Sequence, residues 1–287
     1  MTERPARPDV VHTVTTTGLD VVERPLGAGA RLWASGAVRK TLVLAALAGL
    51  WEGYARALDN ALLFPTLSST GAALLAGLAS GDLPRAAVYT LGVLLKGYAA
   101  GLLLAALLTA LASATRLGAD LLETLTAMFN PLPSIALLPL ALIWFGLGEG
   151  SVIFVLIHAV LWAVALNTHA GFRAVSPTLR MVGRNYGLSP AGYLTRILIP
   201  GAFPSILTGL KVGWAFAWRT LIAAELVFGV SSGSGGLGWY IFERKNQLLI
   251  PDVFAGLLTV ILFGLFVEHA IFKTVERRTI RRWGMQI

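Results

Sequence analysis

The sequence predicts an all-α integral membrane protein with about six transmembrane helices. Of its 287 residues, 56% are hydrophobic and 13% are charged, and the mean hydropathy is +0.72. Soluble domains are roughly 45–50% apolar and about 25% charged, so the composition excludes a water-soluble globular enzyme and a disordered chain. The apolar residues form blocks of roughly 20 residues, the length that crosses a bilayer. The chain has no cysteine, and its four histidines show no zinc-ligand spacing.

Six apolar blocks predict the membrane spans in chain order. We place them at about 37–56, 86–113, 121–147, 151–171, 205–230 and 252–272. Residues 1–35 contain no apolar run typical of a signal peptide and are predicted to be a mobile cytoplasmic tail. The span-containing region is 36–273, and residues 274–287 are predicted to be a basic cytoplasmic tail.

Each block is flanked by residues that suit a turn or a membrane interface. A basic, amphipathic stretch around Arg39 precedes the first block, and a mixed polar segment follows it. The turn 115–120 separates the second block from the third, and Gly148–Gly150 separates the third from the fourth. A glycine- and serine-rich stretch follows the fifth block, and Lys273 ends the sixth.

The distribution of lysine and arginine predicts the orientation. With the N-terminus inside, the inner segments hold 17 of the 23 basic residues and the outer loops hold Arg85, Arg244 and Lys245. Cytoplasmic loops carry such an excess, so both termini are predicted to be cytoplasmic. The net charge of +8 therefore reflects topology, and we expect no nucleic-acid partner.

Residues 172–204, between the fourth and fifth blocks, predict two short helices at the cytoplasmic surface. Ser176-Pro177 and Ser189-Pro190 each place a capping serine before a proline at the first helical position. Gly187 suits a left-handed C-terminal stop, and Pro200 is expected to end the second helix. The segment has four arginines and no acidic residue: Arg173, Arg180, Arg184 and Arg196. Two interpretations are open, a surface that fits a groove in another protein or an ordinary solvated loop.

The stretch Leu179–Gly213 resembles the coupling loop of permease subunits of binding-protein-dependent ABC importers. In that family a Glu-Ala-Ala triplet is followed by a glycine and then by an Ile-x-Leu-Pro-type close. Here the triplet positions are Met181-Val182-Gly183, the glycine is Gly187, and the close is Ile197–Pro200. The downstream stretch Pro204–Leu210 narrows the resemblance to the nitrate, sulfonate and taurine branch.

Other stretches are similar to the same branch, and the resemblance covers about residues 40–273. They are Pro131–Pro139, Trp144–Glu149, Trp218, Ala223-Ala224-Glu225 and Gly236-Leu237-Gly238.

The resemblance implies that an ATPase docks on the triplet and the turn that follows it. The implied docking residues are Arg180, Met181, Val182, Gly183, Arg184, Gly187, Leu188, Ser189 and Pro190. Met181 stands where the family carries an acid. The docking contact is therefore expected to rest on packing together with Arg180 and Arg184.

The stretch Gly233–Gly238 formally matches the dinucleotide-binding pattern GxGxxG. Such a site needs a preceding strand in a soluble βαβ unit, whereas a predicted span precedes it here, and Trp239 follows where a P-loop has lysine. We therefore expect no cofactor, no metal and no enzymatic activity in this chain. ATP and Mg²⁺ are expected on a partner ATPase.

Ionisable residues inside spans are candidates for a translocation pathway, because each costs about 2.5–3.5 kcal/mol at the bilayer centre. Arg219 and Glu225 lie near the middle of the fifth span, on different faces of a helix. Either Arg219 guides an anion while Glu225 anchors neighbouring spans, or each belongs to an ion pair between helices. Trp218, Pro133 and Asn167 complete the candidate pathway, and the prolines of the third span indicate a gate or a static kink.

The resemblance implies a type I, MetI-like importer permease in a bacterial inner membrane. It would work as a homodimer with two ATPase subunits and an extracytoplasmic binding protein, and would carry a small anion such as a sulfonate, taurine or nitrate. A pyrimidine thiamine precursor, riboflavin or an aromatic carboxylate is the alternative cargo. A secondary transporter driven by an ion gradient is the alternative class.

Overall fold

The computed structural model describes residues 27–228 and 235–284. The chain divides into two compact units, residues 1–50 and residues 51–287. The described residues are mostly helical and include no strand. The helices are α1 (Ala28–Ala34), α2 (Gly36–Leu58), α3 (Leu67–Ala79), α4 (Asp82–Ala114), α5 (Arg116–Phe129), α6 (Leu138–Phe145), α7 (Glu149–Ala174), α8 (Pro177–Asn185), α9 (Pro190–Tyr193), α10 (Ile199–Gly201), α11 (Phe203–Phe228), α12 (Leu237–Asn246), α13 (Ile250–Phe266) and α14 (Lys273–Arg278).

The core of residues 51–287 lies where α4, α7 and α11 pack against one another. Two glycines on α4 allow a close approach to α7: a Cβ at Gly97 would lie 2.6 Å from the Cβ of Leu156, and one at Gly101 would lie 2.7 Å from the Cβ of Val160. Small residues at such contacts let the backbones of membrane helices come together. Dispersion contacts along this seam therefore hold α4 against α7.

The third predicted span, 121–147, is broken rather than straight. Helix α5 and the segment Ser134–Phe145, which begins with a 3₁₀ turn, meet at an angle of 87°. Pro131 and Pro133 stand in the break. Proline has no amide hydrogen and clashes with the preceding turn, so the helix cannot continue through this point.

Three described helices are long and apolar enough to cross a membrane, or up to five if each bent pair counts as one span. The single ones are α4, α7 and the continuous helix Ile250–Arg278, which joins α13 and α14 through a π turn. The bent pairs are α5 with Ser134–Phe145, and Pro190–Gly201 with α11, the latter bent by 74°. The first predicted span, 37–56, corresponds to α2, which carries Arg39, Lys40, Glu52 and Arg56 and is not among these candidates. The count of six stays a prediction.

Several boundaries differ from the sequence prediction. Pro200 does not end the helix, since it occupies the first turn of α10, where proline is tolerated. The last helix continues past the predicted end at 272 to Arg278, well into the predicted tail 274–287, of which 285–287 lie outside the described residues. The predicted tail 1–35 lies mostly outside them too, and its last part forms α1.

Helix α3 was not anticipated within the polar segment between the first two spans. Its N-terminus is capped by Thr66, whose hydroxyl accepts a hydrogen bond from the amide of Ser69 at 3.1 Å. Serines and glycines lie near both ends of α3, and the apolar residues between them support the helix.

Candidate functional site

The two short helices predicted in residues 172–204 are present, and each begins as the sequence indicates. The hydroxyl of Ser176 accepts a hydrogen bond from the amide of Leu179 at 3.4 Å. The hydroxyl of Ser189 accepts one from the amide of Gly192 at 3.2 Å. A proline fills the first turn of both helices. We call residues 176–193 the helix–turn–helix segment.

The turn between α8 and α9 closes as a Schellman motif. The amide of Leu188 donates to the carbonyl of Gly183 at 3.3 Å, and the amide of Gly187 donates to the carbonyl of Arg184 at 3.0 Å. Gly187 has φ of +62°, a left-handed conformation that costs residues with a Cβ roughly 1–2 kcal/mol. Glycine at this position therefore sets the angle between the two helices.

Arg180 ties α8 to the end of α7. Its guanidinium donates hydrogen bonds to the carbonyls of Phe172 at 2.6 Å, Val175 at 3.0 Å and Arg173 at 3.1 Å. The last carbonyls of a helix have no intrahelical partner, and a cation there also complements the helix dipole. Arg180 was predicted to belong to the docking surface. In the structure its guanidinium is already hydrogen-bonded to carbonyls of this chain.

A small apolar cluster underlies the helix–turn–helix segment. Phe172, Val175, Leu198 and Ala202 are buried together, with Tyr193, Leu194, Ile197 and Ile206 packed around them. Gly183 is buried on the same side, and a Cβ there would lie 2.8 Å from the ring of Tyr193. The cluster joins the end of α7 to the start of α11, and α8 packs through Gly183 on Tyr193 and Ile197 of this cluster.

The opposite side of α8 is apolar and exposed. Met181, Val182 and Tyr186 are 56%, 41% and 80% exposed, and Arg184 is exposed beside them. Leu188, at the turn, is half-buried, while Ser189 and Pro190 are exposed. Apolar side chains on a polar rim are typical of a surface that contacts another protein.

A second feature is a cavity of about 290 Å³ at the break between α5 and α6. It lies between that break, α7 and α11. The lining residues are Asn130, Pro131, Leu132, Pro133, Ser134, Ile135, His158, Ala159, Trp162, Phe216, Arg219 and Thr220. We call it the bend cavity.

The bend cavity contains two of the five predicted pathway residues. Pro133 and Arg219 line it. Trp218 is buried elsewhere, with its ring stacked on Phe263 at a centroid distance of 5.0 Å. The side-chain amide of Asn167 donates to the carbonyl of Ala163, one turn back on α7, at 2.8 Å. Trp218 and Asn167 therefore take part in helix packing.

Glu225 is also outside the cavity, and it joins three helices. It is 6% exposed; the hydroxyl of Thr90 on α4 lies 3.0 Å from each carboxylate oxygen, and the amide of Gly238 on α12 donates to it at 2.8 Å. The same hydroxyl accepts a hydrogen bond from the amide of Leu237 at 2.8 Å. No ion pair joins Glu225 to a described residue. The anchoring interpretation fits this geometry, and the ion-pair interpretation does not.

Two glycines of the stretch 233–238 pack against the Glu225 side chain: Gly236, and Gly238, the last glycine of the GxGxxG pattern. A Cβ at Gly236 would lie 2.1 Å from Oε1 of Glu225, and one at Gly238 would lie 2.5 Å from its Cβ. Residues 229–234, including the first glycine of the pattern, lie outside the described residues. Within residues 27–228 and 235–284, no group of three or more His, Asp or Glu side chains could hold a metal ion.

Sequence reasoning gave no site role to two polar residues of the bend cavity, Ser134 and Trp162. The hydroxyl of Ser134 and Nδ1 of His158 lie 3.1 Å apart, and Trp162 stands one turn beyond His158 on α7. The spacing of four residues between His158 and Trp162 puts both on one helix face. That spacing was visible in the sequence, but its meaning depended on knowing which face of α7 meets the break.

Comparison with known proteins decides the family. Residues 97–281 match the family described as binding-protein-dependent transport system inner membrane component. The chain belongs to this family. The family consists of membrane components of transport systems, so the chain is an integral membrane protein, and the match includes both the helix–turn–helix segment and the bend cavity.

Individual relatives are 29–33% identical to this chain over the stretches that align. It is 33% identical over 158 residues to the taurine transport system permease protein of Escherichia coli (strain K12), covering 55% of this chain and 56% of that protein. It is 31% identical over 175 residues to the nitrate import permease protein of Synechocystis sp., covering 61% and 62%. It is 29% identical over 228 residues to a probable ABC transporter permease protein of Brucella melitensis biotype 1, covering 76% and 90%. The chain thus spans little more than half the length of the taurine relative.

Proposed function

We propose that this chain is the permease subunit of an ATP-driven importer for a small anion such as a sulfonate, taurine or nitrate. The relatives named for taurine and nitrate transport support this class of cargo. Two copies of the chain would enclose the translocation path, an extracytoplasmic binding protein would deliver the solute, and both termini would be cytoplasmic.

The exposed face of the helix–turn–helix segment carries the coupling part of the proposal. An ATP-driven transporter whose membrane subunit lacks its own hydrolytic site needs a cytoplasmic element on which the ATPase acts. Residues 180–190 offer an apolar surface formed by Met181, Val182 and Tyr186, with Arg184 at its edge. Two ATPase subunits carrying ATP and Mg²⁺ would dock on it, one on each copy of the chain.

The buried side of the same segment explains how the movement would reach the membrane helices. Arg180 holds α8 to the last turn of α7, and the apolar cluster around Leu198 connects it to the start of α11. Because packed interiors are close to incompressible, a push on α8 moves these helix ends with it. Met181 in place of the family's acid makes the contact with the ATPase depend on apolar packing and Arg184.

Uptake into vesicles tests the proposal directly. The chain, its ATPase and its binding protein are reconstituted, and uptake of labelled taurine, methanesulfonate and nitrate is measured with ATP and with a non-hydrolysable analogue. We expect ATP-dependent uptake of at least one of these anions. Uptake at full rate without ATP or without the ATPase would overturn the proposal and favour a secondary transporter.

A matched pair of tyrosine variants tests the docking surface. Tyr186, which directly follows α8, is 80% exposed, whereas Tyr54 on α2 is 61% exposed. We expect Tyr186→Ala to lower the amount of ATPase that co-purifies with the permease, since it removes an aromatic ring from the proposed contact, and Tyr54→Ala to leave it unchanged. Equal co-purification in both variants would contradict the assignment of this surface.

A further inference from the structure

The bend cavity has the electrostatics of an anion site. Arg219 is the one fully charged side chain among its lining residues, and none of them is Asp or Glu. Its volume of about 290 Å³ is at the lower end of small-molecule sites, which span roughly 300–1,000 Å³. A cavity of this size fits a compact solute rather than a dinucleotide or a peptide.

Trp162, one of the lining residues, carries a buried hydrogen-bond donor without a partner among the described residues. The residue is 7% exposed, and its Nε1 has no hydrogen-bond partner among the described residues. The indole is held in place by its neighbours: it stacks on Phe129 at a centroid distance of 5.7 Å and an interplanar angle of 9°, and His158 packs edge-on at 6.1 Å. Nearly all buried polar atoms in native proteins have a partner, so such a donor calls for an acceptor.

Arg219 is oriented by its own helix rather than by an acid. Its Nε donates to the carbonyl of Ala215 at 3.1 Å, and its guanidinium carbon lies 5.5 Å from the ring centroid of Phe216. No described carboxylate forms an ion pair with it. Guanidinium groups bind oxyanions through paired N–H donors, and this one is available at the cavity wall.

We infer that the bend cavity is a binding subsite for the oxyanion end of the transported solute, which deepens the proposed function and rests on it. Arg219 supplies the charge, the indole N–H of Trp162 supplies a neutral donor, and the hydroxyls of Ser134 and Thr220 lie in the same lining. Pro133 and Phe216 form apolar walls that suit a short carbon chain. The class of ligand is therefore a small organic sulfonate or a similarly compact oxyanion.

The position of the subsite links binding to the broken helix. Six of the lining residues, 130–135, form the break itself. A solute held in the cavity lies between the 87° bend and α11. A change in the bend would therefore change the site, as it does where discontinuous helices form the substrate sites of secondary transporters.

Direct binding to the purified permease–ATPase complex, without the binding protein, tests the subsite. The probe is methanesulfonate, and its binding is measured by calorimetry or by equilibrium dialysis of the labelled anion. We expect saturable binding, weakened about tenfold by Trp162→Phe and more strongly by Arg219→Gln, because each removes a donor to a charged group. Methanesulfonamide, a neutral probe of the same size, should bind at least tenfold more weakly to the wild-type complex.

Trp218→Phe is the matched control, since Trp218 is equally buried but stacks on Phe263 outside the cavity. Binding in this variant should equal that of the wild type. No measurable methanesulfonate binding, equal affinity in all three variants, or equal affinity for the neutral probe would each overturn the subsite and identify the cavity as a hydrated void.

Uptake measured in the same preparations separates the two proposals. If ATP-dependent uptake is intact but Trp162→Phe and Arg219→Gln leave its rate and selectivity unchanged, the subsite falls and the proposed function stands. If the wild-type complex shows no ATP-dependent uptake of any of the anions, the proposed function itself falls.

Discussion

Replacing Arg180 with methionine should loosen α8 from the end of α7. The substitution keeps the length of the aliphatic chain and removes all three hydrogen bonds to the carbonyls of Phe172, Arg173 and Val175. Hydrogen bonds from a charged group contribute about 1.5–3 kcal/mol each when buried. Two of these are partly buried and one is exposed, so we expect a loss of about 2–4 kcal/mol in the free energy of local opening.

Hydrogen–deuterium exchange of the α8 amides measures this loss. A change of about 2–4 kcal/mol corresponds to exchange that is faster by about thirtyfold to about a thousandfold. Arg184→Met is the control, because Arg184 is exposed on the same helix and no hydrogen bond from its side chain to a described residue is found. We expect Arg184→Met to leave exchange unchanged.

The two arginine variants should also differ in function. Arg180→Met is expected to lower transport per ATP hydrolysed, since α8 can then move without carrying α7 with it. Arg184→Met is expected to weaken association with the ATPase instead. Equal exchange rates in the two variants would refute the role given to Arg180, and a loss of association confined to Arg180→Met would reverse the two assignments.

Two further predictions concern the packing that supports both sites. Gly97→Ala should destabilise the permease by about 1–3 kcal/mol, because the new Cβ would lie 2.6 Å from that of Leu156. Gly92→Ala on the same helix should not, because a Cβ there would have no atom within 4 Å. Thermal unfolding in detergent compares the two variants, and equal unfolding midpoints would contradict the packing argument. Thr90→Val should lower the unfolding midpoint, because it removes a hydrogen-bond donor to the buried carboxylate of Glu225 at a cost of about 1–3 kcal/mol. Thr90→Ser keeps the hydroxyl and should unfold at the midpoint of the wild type. A valine variant as stable as the serine variant would show that this hydroxyl is dispensable.

Local signals made the helix–turn–helix segment predictable. Capping serines, prolines at the first helical position and Gly187 act within a few residues of one another, so their consequences can be read without knowing the tertiary structure. The break near Pro133 was foreseeable for the same reason. The side on which Arg180 points was not, because it depends on how α8 returns onto α7.

The partners of buried polar residues could not be predicted from spacing alone. Arg219 and Glu225 lie on one helix, but one lines the bend cavity and the other bonds to Thr90, which is 135 residues away in the chain. Only the packing of α4, α11 and α12 brings that hydroxyl to the carboxylate. The sequence did not indicate that Trp162 has an unpaired indole N–H, because a tryptophan in an apolar helix can serve for packing alone.

The carboxylate of Glu225 also restricts which parts of the molecule can act as hinges. Its bonds to the Thr90 hydroxyl and the Gly238 amide, at 3.0 and 2.8 Å, would be lost if α11 rotated by even a few tenths of a turn relative to α4 or α12. We therefore expect these three helices to travel together as a rigid block. Conformational switching would then be concentrated at two joints, the proline-containing break before α6 and the bend at Ala202, where the chain passes from α10 into α11.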